Sequence, residues 1–360
     1  MSVRFRPEVA AMPRYVPGKP PSPGPDGRAY KLASNENPFD PLPSVRAALA
    51  ECAMNRYPDP GNAAIAEALA AKLGVPADHL VFGTGSVQVL AQLLSATCGP
   101  GDEVVYPWRS FEAYPLAVQM TGASGVPVPL AGAEHDLAAM AAAVTDRTRA
   151  VLLCTPNNPT GPALGAAAVA SFIAELPGDV LVVLDEAYVE YVTDPDAVRG
   201  LTVVSAHPNV VSLRTFSKAY GLAGLRVGYA VADPSITAVV QAATMPFATS
   251  VPAQVAVLAS LAAGDELDAR VSAVVAERER VLSGLAEHGY EVPSAQGNFF
   301  WLAAGTRGLS AAAWSDRFDA VGLSVRAFHT GGPGDGVRVS IGEVEANDRT
   351  LEVIASVGAA

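Results

Sequence analysis

The chain is short of cysteine, lysine and histidine, and poor in basic charge overall. Its three cysteines, Cys52, Cys98 and Cys154, stand far apart with no CxxC spacing. That argues against a disulfide framework and a thiolate zinc site, and it fits a reducing, cytoplasmic setting. The five histidines (His79, His135, His207, His288 and His329) form no HxxxH or HExxH pair, so they read as surface or turn residues and no metal is expected. Basic side chains number 24 against 36 acidic ones, a formal charge of −12. A nucleic-acid partner would want a basic face, so none is expected. No hydrophobic run reads as a membrane span. Residues 236–264 carry no charged side chain, but Pro246 and Pro252 break them and Gln241, Thr244, Thr249, Ser250 and Gln254 interrupt their apolarity. They read as helix, loop and helix. Residues 1–25, rich in proline and arginine, lack the apolar core of a secretory signal.

What is present is apolar surface. Half of the 360 residues are hydrophobic, enough for a sizeable core and about two domains at roughly 150 residues each. Residues 1–40 read as a Pro-rich arm. In residues 41–260, short β-rich runs at 103–106, 125–130, 150–154, 180–184, 209–213 and 227–231 alternate with helical stretches. Several of these runs are apolar throughout, which predicts strands buried on both faces of a mostly parallel sheet. Residues 261–360 read as a smaller α+β domain: a long charged helix over 266–288, the run Phe299-Phe300-Trp301-Leu302, a helix near 310–321, and strands near 323–327 and 336–341. Phe299-Phe300-Trp301 is expected in the core. Glu277, Arg278, Glu279 and Arg280 are expected on a solvated helix face.

Lysine is scarce: Lys19, Lys31, Lys72 and Lys218 are the four, and the other 20 basic residues are arginines. The fourth lies in Thr215-Phe216-Ser217-Lys218-Ala219-Tyr220-Gly221-Leu222-Ala223-Gly224-Leu225-Arg226, after an apolar run. A desolvated lysine amine is readily deprotonated to form a Schiff base, and hydroxyls with an arginine suit a phosphate. Asp185-Glu186-Ala187-Tyr188 ends another apolar run. A carboxylate there points into the crevice at the carboxyl ends of the strands, or caps a helix, holds Mg²⁺, or is solvated. Thr155-Pro156-Asn157-Asn158-Pro159-Thr160-Gly161 is a turn able to aim an amide. Gly83-Thr84-Gly85-Ser86 joins a strand to a helix, where glycines and a helix N-terminus accommodate an anion; it is neither GxGxxG nor a Walker A loop.

Each of these four segments follows a strand, in the order phosphate loop, asparagine, aspartate, lysine. Together they resemble the fold-type I pyridoxal-phosphate-dependent aminotransferases, specifically the histidinol-phosphate and aromatic amino acid group. Further matches are Ser34-Asn35-Glu36-Asn37-Pro38, Asn55-Arg56-Tyr57-Pro58, Ser110-Phe111-Glu112-Ala113-Tyr114 and Val337-Arg338-Val339-Ser340-Ile341-Gly342. The resemblance spans residues 10–355. It implies an α/β fold with a large sheet domain and a smaller α+β domain, and pyridoxal 5'-phosphate as cofactor. By the same resemblance, Lys218 matches the lysine that carries the cofactor as a Schiff base, and Asp185 the carboxylate that pairs with the pyridine nitrogen. Tyr188 and Asn158 match the ligands of the 3-oxygen. Thr215, Ser217 and Arg226 match phosphate ligands, with the Gly85-Ser86-Val87 backbone. Phe111 matches the ring that stacks on the cofactor. Tyr57 matches a tyrosine that reaches the neighbouring subunit's site, which implies a homodimer. Arg338 matches the arginine that binds the substrate carboxylate, and Arg326 a second anion-binding arginine; Asn158 and Tyr57 also border the substrate.

The chain departs from the group at Ala327, where many relatives carry proline, and in a longer glycine loop over 328–334. Trp108-Arg109 and the arm segment Tyr15-Val16-Pro17-Gly18-Lys19 look more like the aromatic branch. The expected reaction is therefore transfer of an amino group from an aromatic L-amino acid to a 2-oxo acid, 2-oxoglutarate being the expected acceptor. Histidinol-phosphate aminotransferase is the alternative. A decarboxylase or lyase is a lesser variant, and a DNA-binding regulator on this fold conflicts with the acidic charge and the short arm.

Overall fold

A computed structural model describes residues 3–330 and 334–357. Gly331, Gly332 and Pro333 of the glycine loop lie outside the described residues. In chain order the strands are β1 (Tyr30–Lys31), β2 (Leu80–Gly83), β3 (Glu103–Trp108), β4 (Ser124–Pro129), β5 (Thr148–Cys154), β6 (Leu181–Asp185), β7 (Val210–Thr215), β8 (Gly228–Val231), β9 (Phe299–Ala303), β10 (Leu323–Ser324), β11 (Arg326–Phe328) and β12 (Gly336–Ser340). The helices are α1 (Pro7–Ala10), α2 (Pro43–Glu51), α3 (Ala63–Leu73), α4 (Ser86–Thr97), α5 (Ala113–Thr121), α6 (Leu137–Ala142), α7 (Ala166–Glu175), α8 (Gly200–Ala206), α9 (Pro234–Ala242), α10 (Val251–Ala262), α11 (Gly264–Glu287), α12 (Ala311–Asp319) and α13 (Val344–Ser356).

Seven strands form one sheet in the order β2-β8-β7-β6-β5-β3-β4. Its centre, β5 to β7, consists of valine- and leucine-rich runs buried on both sides. Alternation along each strand feeds two cores. Val151, Leu153, Val182 and Leu184 join one, while Ala150, Leu152, Val183 and Val211 join the other. The predicted parallel sheet is present with one reversal. β8 runs antiparallel to both β2 and β7, and all other pairings are parallel. β2, β5, β6 and β7 consequently share a direction, and their carboxyl ends meet at one edge. β4 closes the far edge and carries Pro127 and Pro129, residues suited to an edge because they donate no ladder hydrogen bond.

The C-terminal part is built on a three-stranded antiparallel sheet in the order β11-β12-β9. The strand expected over 323–327 is two short pieces. β10 pairs with β1 of the arm, and β11 pairs with β12. α13 arises where the sequence reading set no element. No helix is long and apolar enough to cross a membrane among the described residues, and residues 236–264 form α9, a loop and α10.

Two expectations are corrected. Arg278 is not on a solvated face. It is 0 % exposed, and Leu267, Val274, Val281 and Leu285 are the other buried residues of α11, so Arg278 continues a helical stripe. Its guanidinium donates to the carbonyls of Tyr191 (2.9 Å) and Gly297 (3.2 Å) and to Thr193 Oγ1 (3.1 Å). His135 is likewise buried, and burial pushes its pKa down to about 4, so the imidazole is neutral. Phe299, Phe300 and Trp301 are buried as expected.

Candidate active site

The carboxyl ends of β5, β6 and β7, with the start of α4 that follows β2, border a cavity of about 660 Å³. This is the place where open α/β sheets bind ligands. Asp185 is the last residue of β6. Its Oδ2 accepts a hydrogen bond from Tyr114 Oη at 2.8 Å, while Oδ1 is buried with no partner. Burial raises its pKa to about 6 against the lowering effect of the Tyr114 bond. The next residue, Glu186, anchors the strand end from behind. It accepts from Arg214 Nη2 at 3.0 Å and from the Gly200 N–H at 2.9 Å.

Lys218 follows β7 and is half-buried on the cavity wall. Its Nζ donates to the carbonyls of Ser34 (2.9 Å) and Asn35 (3.1 Å). Burial, reinforced by the charge of Arg338, pushes its pKa down to about 7. The amine is therefore close to its nucleophilic, uncharged form at neutral pH. Tyr188 Oη accepts from Asn35 Nδ2 at 3.0 Å, and burial pushes its pKa up.

The two asparagines after β5 divide their work. Asn157 locks the turn: Oδ1 accepts from Ser110 Oγ at 2.7 Å and Nδ2 donates to Thr160 Oγ1 at 2.7 Å. Asn158 lines the cavity, and its Oδ1 accepts from Arg338 Nη1. Arg338 Nη2 donates to the Ala33 carbonyl at 2.6 Å, while Nε is buried without a partner. Arg338 sits on β12 directly opposite Arg326 on β11. Arg326 Nη2 donates to the Val16 carbonyl of the arm at 2.8 Å and to Glu112 Oε2 at 2.6 Å.

On the same cavity wall α4 begins at Ser86, and its first N–H groups have no acceptor within the helix. Gly85 precedes it with φ 87°, a conformation that favours glycine, and a Cβ there would overlap the Arg226 guanidinium. Arg226 donates from Nη1 to Ser217 Oγ at 3.3 Å, and Thr215 Oγ1 accepts from the Ser217 N–H at 3.0 Å. Hydroxyls, a guanidinium and a helix N-terminus thus converge on one corner, a donor set that suits a phosphate. Phe111 borders the cavity, edge-on to Tyr114 at 5.7 Å.

Of the predicted site residues, Lys218, Asp185, Tyr188, Asn158, Ser86, Val87, Phe111, Thr215, Ser217, Arg226, Arg326 and Arg338 line this cavity, and Gly85 adjoins it through Arg226. Tyr57 does not. It is 81 % exposed outside the cavity and stacks on Phe247 at 4.5 Å. Tyr114, Asn35 and Glu112 belong to motifs of the family resemblance, yet their partners are 71, 153 and 214 residues distant. No local spacing signals such contacts.

The family profile described as aminotransferase class I and II matches residues 29–354. The chain belongs to that family. It is 51% identical over 356 residues to an aromatic amino acid aminotransferase of Streptomyces avermitilis, covering 98% of this chain and 97% of that one. An aromatic amino acid aminotransferase of Thermobifida fusca is also 51% identical, over 351 residues, with coverage of 97% and 96%. Among solved structures, the chain is similar to the histidinol-phosphate aminotransferase of Sinorhizobium meliloti in complex with pyridoxal-5'-phosphate. That likeness has a TM-score of 0.88 at 30% identity and covers 99% of each chain. As an aminotransferase of this family, the protein has its candidate acid, amine and anion-binding groups around a single cavity.

Proposed function

We propose that this aminotransferase transfers the amino group of an aromatic L-amino acid to a 2-oxo acid, with pyridoxal phosphate as cofactor. The residues present fit that cofactor. Asp185 Oδ1, buried and unpartnered, lacks only a donor such as a protonated ring nitrogen. Its negative charge would favour the protonated form of that nitrogen. Tyr188 and Asn158 would hold the 3-oxygen. Thr215, Ser217, Arg226 and the Gly85-Ser86-Val87 backbone would hold the phosphate, and Phe111 would cover the ring. Bound there, pyridoxal phosphate supplies an electron sink for the pair left when a Cα proton departs.

The protein's own groups account for the rest. Lys218 Nζ, lowered to about 7, is the amine that anchors the cofactor, and once displaced it is a base matched to neutral pH for the substrate's Cα proton. Arg338, with Nε unpaired, takes the α-carboxylate, and Asn158 holds that guanidinium in place. Tyr57 contributes to the partner's site in a homodimer, in keeping with its exposure here.

The observation that favours an aromatic side chain is the composition of the remaining wall. Tyr15, Leu116, Met120 and Phe328 line the same cavity, and Arg338 lies 6.0 Å from the Phe328 ring centroid. The names of the relatives agree with this reading. A substrate panel tests it, with each amino donor's half-reaction followed through the absorbance of the bound cofactor. Phenylalanine, tyrosine and tryptophan should exceed histidinol phosphate in kcat/KM by about a hundredfold or more; the opposite order would replace this reading with the phosphate ester as donor.

A further inference from the structure

The two arginines that face each other across β11 and β12 are differently employed. Arg338 gives its Nη groups to neutral oxygens and keeps Nε unpaired and buried, so it can still take an anion. Arg326 already has one, since Glu112 Oε2 lies 2.6 Å from its Nη2. The pair is largely withdrawn from solvent, with side-chain exposures of 11 % for Arg326 and 30 % for Glu112, and both residues line the cavity. Like charges directly opposite on paired strands repel, and Glu112 supplies the compensating charge from a third element, the start of α5.

We propose that Glu112 determines substrate specificity by occupying Arg326 as an internal anion, which keeps the distal end of the pocket electrically neutral. The proposal rests on the reading that this cavity receives an aromatic side chain. A ring entering between Tyr15 and Phe328 meets a satisfied ion pair and asks nothing of it. A side-chain carboxylate or phosphate must displace Glu112 from Arg326, or share a guanidinium whose charge Glu112 already balances and stand close to that carboxylate. Either route costs the anionic substrate affinity that the ring does not lose. A dicarboxylic oxo acid bound as acceptor meets the same barrier, so Glu112 also raises its KM.

The test compares two monovalent-versus-divalent probes on the cofactor-loaded protein: 3-phenylpropanoate, with one carboxylate and a ring, and glutarate, with two carboxylates. Dissociation constants come from calorimetry, and kcat/KM for phenylalanine and glutamate is measured in parallel. Wild type should prefer 3-phenylpropanoate. Glu112→Gln should shift the binding ratio toward glutarate by about tenfold, which is ~1.4 kcal/mol, and the glutamate-to-phenylalanine ratio of kcat/KM should move the same way. Glu112→Asp, which keeps the charge, should stay near wild type, and the double variant E112Q/R326Q should lose the gain. A merely structural role for Glu112 would affect both ligands alike and leave the ratio in place. If wild type prefers the ring and E112Q leaves that preference within about twofold, the role of Glu112 is refuted and the aromatic reading stands. If wild type already prefers glutarate, the aromatic reading falls and the proposal falls with it.

Discussion

Asp185 has one oxygen satisfied by Tyr114 and the other buried and open, and this asymmetry has a thermodynamic consequence. Burial raises its pKa from 3.8 to about 6, so without cofactor the folded protein holds that proton more firmly than the unfolded chain does. The stability gained from this is complete below the unfolded pKa and is lost as pH rises through about 6. Asp185→Asn cannot ionise. Its stability relative to wild type, measured by urea unfolding of apoprotein, should therefore improve by about 2 kcal/mol between about pH 4 and about pH 8, while turnover of the loaded enzyme collapses. A pH-independent difference would mean that the open oxygen is not a buried charge. Asp185, Lys218, Asn158, Arg226 and Arg338 were legible in the sequence because each follows a strand or lies in a distinctive local motif. Tyr114 and Glu112 acquire their partners only through the fold, so the sequence displayed them without a role.

At the scale of elements, hydrophobic runs and alternation located the strands and most helices, because burial on two faces leaves a continuous apolar signature. Direction was not legible. The run that becomes β8 looks like its parallel neighbours, and only the tertiary path reverses it. The burial of Arg278 is hidden in the sequence for a related reason. Glu277, Glu279 and Arg280 surround it with charge, and composition outweighed the helical period that places it beneath Val274 and Val281. It joins α11 to the segment after β6 and to the approach to β9 through the carbonyls of Tyr191 and Gly297. Arg278→Met keeps much of the volume but strands those acceptors, and urea unfolding should register a loss of about 2–4 kcal/mol. A loss below about 0.5 kcal/mol, as at an ordinary surface site, would contradict this placement.

The whole molecule gathers its anion-binding and acid–base groups around one cavity, and some of its exposed apolar side chains lie outside that cavity. Met54, Tyr57, Met245 and Phe247 are exposed large hydrophobics, and the stack of Tyr57 on Phe247 ties two of them together. We propose that the Tyr57–Phe247 stack belongs to a homodimer interface that carries Tyr57 toward the partner's cavity. Sedimentation velocity should show a dimer, and Phe247→Asp should yield monomers with little activity; a fully active wild-type monomer would contradict that assembly. The proposed attachment of the cofactor to Lys218 admits the most direct test. The protein is loaded with pyridoxal phosphate and reduced with borohydride, and the labelled peptide is mapped by mass spectrometry. The cofactor's mass should reside on Lys218 and on none of Lys19, Lys31 and Lys72, and Asp185→Asn should keep that label while losing turnover. Label on another lysine, or on none, would contradict the placement of the cofactor in this cavity.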